Sequence, residues 1–208
     1  MTFLLLKMET SGLYRSELPP ESKAQPWAIS IAAEYVDAKG NRFGALDFLI
    51  KPSNRPVKPG AFDAHGIDPK MCERIGVAEA PVLALLADIA GKCRAVITYG
   101  DLDNRVIDSL LYKLAEQMGK PRDTFVKKWR RTGLTFIDIQ KPACQMECKL
   151  PSEKDDQEEF RWPSLTEAYD KVFGDSEPPK NAWDKLVMIS DLFFHLRHQG
   201  HFEEVSDV

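Results

Sequence analysis

The chain predicts an α/β layered domain built on a mixed central sheet, and three observations carry that prediction. The first 50 residues hold three strand-like stretches separated by turn-rich segments. Beyond residue 60 the pattern changes to alternating helical periodicities and short apolar runs, the order expected when helices cover a sheet. No segment between the two halves is long or biased enough to act as a linker. A chain of 208 residues therefore reads as one domain, able to bury about 70% of its extended surface without staples.

Phe3-Leu4-Leu5-Leu6 opens a buried strand over Thr2 to Met8. Lys7 and Glu9 follow too soon for a secretory core, and the run is far too short to span a bilayer. A polar, proline-containing stretch from Ser11 to Gln25 leads to Trp27–Val36, rich in strand formers. Asp37-Ala-Lys-Gly-Asn41 is a turn and Phe43 to Ile50 a third strand, so two of these strands form a hairpin. Lys51 to Gly60 carries three prolines and reads as a loop. Ala80 to Ala90 has helical spacing, with Leu83, Leu85, Leu86 and Ile89 expected on one apolar face. Arg94 to Thr98 is a short buried strand, and Asp103 to Met118 repeats Val106, Leu110, Leu111 and Leu114 at helical intervals. Gly133 to Ile139 is another apolar run. An acidic insertion at about 151–160 reads as a variable, mobile loop. Ser164-Leu-Thr-Glu167 is a capping box opening a helix that Gly174 ends. The last helix runs from about Asn181 to His198, closed by Gly200.

The formal net charge is -4, which excludes a chain-wide basic field; a polyanion must be held by a local patch or through metal ions. Cys72, Cys93, Cys144 and Cys148 are too few and too scattered for a disulfide scaffold, so the chain is expected to be reduced and cytoplasmic, with no membrane association. Cys144-x-x-x-Cys148 lacks the second pair or histidine that a zinc site needs.

A buried strand followed by Glu9-Thr10-Ser11-Gly12 resembles the first motif of the DnaQ-like 3′-to-5′ exonucleases, the DEDD (DEDDh) group of the RNase H-like fold. Further segments fall in that family's order: Ala64-His65-Gly66-Ile67 before a helix, Ile97 through Asp103 as strand, turn and helix start, Thr135-Phe-Ile-Asp138, then Trp162 to Tyr169 and the helix from Asn181 to Leu196. The resemblance covers nearly the whole chain. It implies a single exonuclease-like domain over 1–208, with a mixed central sheet of about five strands flanked by helices.

In that family four carboxylates hold two divalent metals, and a histidine takes the attacking water's proton. Carried over position by position, the acidic residues Glu9 and Asp103 are retained and would be the metal ligands if any metal binds. The first motif's aspartate is Lys7, the general-base histidine is Lys180, and the last aspartate is Lys185. Three of five catalytic positions are thus lysine. An ammonium about 4 Å from a dication costs roughly 8 kcal/mol at an effective dielectric of 20, about six decades of metal affinity. Lys7 and Lys185 are therefore expected to occupy the metal space and to neutralise Glu9 and Asp103. No cofactor is expected, and Mg²⁺ or Mn²⁺ only if the protein is active.

Two replacement ligands are conceivable. Asp184 precedes Lys185 but projects about 100° away on a helix, and Asp101 lies in the loop before Asp103. His195 stands about 22 Å along the helix axis from Lys180, out of reach as a base. By resemblance Thr10, Gly12, Leu13 and His65 are candidates for contact with a terminal nucleotide. From the residues alone His65 reads first as a turn or packing residue, and as a nucleotide contact only second. From Lys113 to Arg131 there are seven basic and two acidic residues, and Lys127, Lys128, Trp129, Arg130 and Arg131 form a candidate patch for single-stranded nucleic acid, or an ordinary solvated face. The leading expectation is a nucleic-acid-binding domain for a single-stranded DNA or RNA 3′ end, with lost or severely impaired metal-dependent hydrolysis. The alternatives are an active exonuclease using Glu9, Asp103 and a displaced ligand, and a protein-interaction scaffold.

Overall fold

The computed structural model describes residues 1–151 and 160–202. The acidic insertion expected at about 151–160 thus falls almost entirely outside the described residues. Three strands come first: β1 (Thr2–Thr10), β2 (Ala28–Asp37) and β3 (Arg42–Leu49). The Asp37 carboxylate accepts the amides of Lys39 and Asn41, at 2.8 and 2.9 Å, which closes the β2–β3 hairpin. Three helices follow, α1 (Pro59–His65), α2 (Pro69–Ile75) and α3 (Glu79–Ala90). Then come β4 (Ala95–Thr98), α4 (Leu102–Gln117), α5 (Thr124–Trp129) and β5 (Thr135–Asp138). The short α6 (Gln145–Cys148) precedes α7 (Leu165–Phe173) and α8 (Ala182–His198).

The sheet order is β3-β2-β1-β4-β5. β1 to β3 pair antiparallel, and β1–β4 and β4–β5 pair parallel. This is the RNase H-like α/β architecture with five strands. β1 is the central strand, buried on both faces, which is why its residues are apolar without alternation. Leu4, Leu6 and Met8 join a core with residues of α3, α4 and α5. Phe3 and Leu5 join a second core on the opposite face, with Leu186, Ile189, Leu192 and Phe193 of α8. Strand alternation puts Lys7 and Glu9 on this α8 face, beyond the last buried leucine.

The boundaries of the long elements agree with the sequence to within about two residues. The Ser164 hydroxyl accepts the Glu167 amide and the Glu167 carboxylate accepts the Ser164 amide, so α7 starts on a complete capping box. The segments that sequence periodicity missed are short: α1 begins inside the expected proline loop, and α5 and α6 hold six and four residues. Helices of so few turns are fixed by tertiary packing rather than propensity. All four cysteines are free and buried. No helix among the described residues is long and apolar enough to cross a membrane.

Candidate functional site

The carboxyl ends of β1 and β4 lie side by side at the centre of the sheet, the position where α/β sheets bind ligands. β1 contributes Lys7 and Glu9. β4 runs directly into α4 through Tyr99-Gly100-Asp101. Gly100 takes a left-handed φ of 79° in this turn, where a side chain would be strained, and its amide donates to Asp138 Oδ1 at 2.7 Å. Thr98 Oγ1 donates to the Gly100 carbonyl and accepts from Asn104 Nδ2. These bonds fix the start of α4, and with it Asp103. From the other face α8 supplies Lys185. Its N-cap Asn181 accepts the Asp184 amide at 2.8 Å, which fixes the register of that helix.

The four side chains form two ion pairs. Lys7 Nζ lies 3.1 and 3.0 Å from the two Asp103 oxygens. Lys185 Nζ lies 2.6 Å from Glu9 Oε1. Asp103 has no solvent exposure and the Lys7 side chain is 14% exposed. Burial raises the Asp103 carboxyl above the ordinary aspartate range and Glu9 adds to the rise, while Lys7 and a hydrogen bond from the Met8 amide oppose it. Each carboxylate that could ligate a cation therefore holds an ammonium in its place.

This donor set does not fit two divalent cations. It offers two carboxylates, each already bonded to a lysine, and among the described residues no group of three or more His, Cys, Asp or Glu is placed to hold a metal. The candidate replacements are engaged elsewhere. Asp101 is exposed and lies 2.5 Å from Arg105. Asp184 accepts the Lys180 amide at 2.8 Å, serving the end of α8.

His65, at the end of α1, is buried and accepts the Ile67 amide on Nδ1 at 3.0 Å; its Nε2 is buried and has no partner among the described residues. Burial holds this imidazole below the usual histidine range, and the charges that act on it are Glu9, which raises it, and Lys185, which lowers it further. His65 thus adjoins the Glu9–Lys185 pair. Thr10 Oγ1 donates to the Gly12 carbonyl at 2.9 Å, and Leu13 is 80% exposed at the lip of this loop.

One candidate residue lies apart from the cluster, and one expectation needs correction. Lys180 does not join the lysine–carboxylate cluster. It precedes the extended N-cap Asn181, outside the helix, and its exposed ammonium lies 3.9 Å from Glu177. The Lys127 to Arg131 segment does not present an aromatic to solvent. Trp129 is 1% exposed and packs edge-on against Phe136 at 5.6 Å, because α5 turns its apolar side into the core. Arg130 makes a paired contact with Asp108 and stacks 4.0 Å over Phe136. Arg131 donates to the carbonyls of Ala90, Gly91 and Cys93 at and just past the end of α3. Lys127 lies 3.7 Å from Asp123, and Lys128 is exposed.

Sequence reasoning missed the residues that support the cluster. The Tyr99 hydroxyl donates to the Pro163 carbonyl at 2.8 Å. Asp138 accepts from both Gly100 and Gln140. Thr135-Phe-Ile-Asp138 stood out as a segment, but the role of Asp138 as a clamp on the β4–α4 turn needed the parallel pairing of β4 with β5.

No family model matches the sequence, and no curated protein matches it by sequence. Solved structures do match the fold. The complex of E. coli Exonuclease I with a 5cy-dA13 oligonucleotide superposes with a TM-score of 0.69 at 17% identity, over 95% of this chain and 40% of that one. A moderately thermophilic Exonuclease I from Methylocaldum szegediense gives the same four values. The zinc-bound form of the E. coli ExoI–ssDNA complex gives 0.70 and 17%, over 95% and 40%. The chain therefore spans about 40% of the length of these proteins, and at this identity the likeness is one of fold.

Proposed function

We propose that residues 1–208 form one DnaQ-like, DEDD-type exonuclease domain that binds a single-stranded nucleic-acid 3′ end and has lost, or nearly lost, metal-dependent hydrolysis. The observation that carries this reading is the seating of Lys7 on Asp103 and Lys185 on Glu9. Hydrolysis in this fold class needs cations that stabilise the attacking and leaving oxygens. Here the cationic charge at the carboxyl ends of β1 and β4 comes from two lysines. They can meet a phosphate as point charges but cannot lower the pKa of a water as a metal does. Thr10, Gly12, Leu13 and His65 surround the same strand end and would contact the terminal nucleotide. That the solved structures of like fold include complexes with oligonucleotides supports nucleic acid as the ligand class.

The test is incubation of the purified protein with a 3′-labelled single strand, DNA and RNA in separate arms, with Mg²⁺ or Mn²⁺. Salt-dependent binding without release of mononucleotides is expected. Metal-dependent release that disappears in Glu9→Gln would overturn the loss of hydrolysis, and absence of binding at low salt would favour a protein-interaction scaffold.

A further inference from the structure

A second basic feature lies on the α4 side of the Ser11–Gly12 loop. Ser11 continues the sheet past the irregularity at Glu9/Thr10 by exchanging hydrogen bonds with Trp27, and the Lys58 amide donates to the Ser11 carbonyl. This ties together three segments distant in sequence and leaves a cavity of about 240 Å³ between them. Arg15, Lys23, Arg55, Lys58 and Lys113 line it, and among the described residues no carboxylate does.

The state of these cations sets the cavity apart from the strand-end cluster and from the α5 segment, where the basic groups are largely paired. Arg15 lies 2.8 Å from Glu17 and Arg55 lies 2.9 Å from Glu79, so the two guanidiniums are partly neutralised. Arg55 also stacks 4.6 Å from the Trp27 ring, which holds its plane at the cavity wall. Among the described residues Lys23, Lys58 and Lys113 make no ion pair. Lys113 is half-buried, and its ammonium makes one long contact, 3.4 Å, to the Gln25 carbonyl. Burial lowers its pKa from the ordinary lysine value, a desolvation that an anion would offset. Glu79 acts on Lys113 and Glu17 on Lys58 from outside the lining, and an anion inside the cavity would add to that attraction at closer range.

We propose that this cavity, framed by Lys23, Lys58 and Lys113, is a binding site for a phosphate group. A volume of about 240 Å³ suits a phosphate or a single nucleotide rather than a larger ligand. Lys113 stands about 15 Å along α4 from Asp103, a span that a short oligonucleotide covers, so a backbone phosphate of a strand ending at the Glu9–Asp103 cluster is the source the geometry favours. That source rests on the proposed nucleic-acid function; the phosphate site itself does not.

Two arms distinguish them. The first titrates a labelled single-stranded oligonucleotide at several salt concentrations against wild type, Lys23→Gln/Lys58→Gln and Lys113→Gln. The second follows melting temperature with pyrophosphate for the same proteins. Because Lys23 and Lys58 are exposed, the double variant is expected to fold even if the half-buried Lys113→Gln does not. The expected result is oligonucleotide binding weakened about tenfold in the double variant, with the log–log salt slope flattened by about 0.7 for each phosphate that is no longer neutralised. Oligonucleotide binding with unchanged affinity and slope in the variants overturns the phosphate site and leaves the proposed function standing. Pyrophosphate stabilisation that disappears in the variants, with no oligonucleotide binding by wild type, supports the site and overturns the nucleic-acid reading. A response in neither arm overturns both.

Discussion

Replacing Lys7 by methionine removes the cation from a carboxylate that has no solvent exposure while keeping most of the aliphatic volume. Breaking a buried pair on one side costs about 3–5 kcal/mol, because the remaining charge is uncompensated. That is a large part of the stability of an ordinary domain, about 5–15 kcal/mol. Asp103 can escape this cost by taking a proton, so the loss depends on pH, and its sign follows from linkage. Well below pH 3.8, the ordinary aspartate value, the carboxyl is protonated folded and unfolded, and this penalty is absent. Its folded pKa is raised, so as pH increases from there the unfolded chain loses the proton first and stability falls until the folded pKa is passed. Lys7 opposes the rise; its removal therefore moves the end of this window to higher pH. Urea denaturation of Lys7→Met from pH 5 to 9 should show a loss of about 3–5 kcal/mol at the alkaline end. The loss should shrink toward acid by at most about 1.4 kcal/mol per pH unit, with an unchanged m-value. Lys7→Met/Asp103→Leu should recover most of it, since a buried pair replaced by apolar groups is often neutral. A single-variant loss below about 1 kcal/mol with the wild-type pH profile, or a double variant whose loss is the simple sum of the singles, would refute the reasoning.

Further outcomes are expected. Lys7→Asp/Lys185→Asp places four carboxylates at the strand ends and should gain thermal stabilisation by Mn²⁺, about 2.7 kcal/mol at a hundredfold excess over Kd. Adding Lys180→His should contribute little to that stabilisation, because Lys180 faces Glu177; calorimetry with and without metal checks both. Trp129→Ala should cost about 3–5 kcal/mol in urea denaturation through the cavity it leaves, whereas Lys127→Gln/Lys128→Gln should leave stability within about 0.5 kcal/mol. Ser164→Ala should cost about 1 kcal/mol through removal of the cap. The Glu167 carboxyl, held down to about 2 chiefly by Arg161, is depressed, so its contribution is present above about pH 4.5 and is lost as pH falls toward 2. Arg161→Met should weaken that acid dependence in thermal melts across this range.

The fold was legible because the long elements carry their own signals. The uninterrupted apolar run of β1 announces a strand buried on both faces, and the α7 capping box marks its first turn to the residue. The α5 segment shows the limit. A run of lysines and arginines around Trp129 reads as a solvated or nucleic-acid face, yet the aromatic is core and both arginines are engaged, with Asp108 and with the carbonyls after α3. Over six residues the periodicity is too short to reveal which side points inward. Lys180 shows another limit, since an offset of one residue from the N-cap decides whether a side chain follows the helix face or faces solvent.

By itself the sequence determined the α/β class, the order of the strands and the long helices, and the presence of Lys7 and Lys185 where carboxylates stand in the family it resembles. These are properties of periodicity, caps and local motifs, which are written within a few turns of chain. Only the tertiary structure decided that Lys7 meets Asp103 and Lys185 meets Glu9, across 96 and 176 residues of sequence, and that Trp129 points inward. It alone gathered Lys23, Lys58 and Lys113 from separate segments around one cavity. Ion pairing and burial depend on distance in space, and sheet pairing sets that distance.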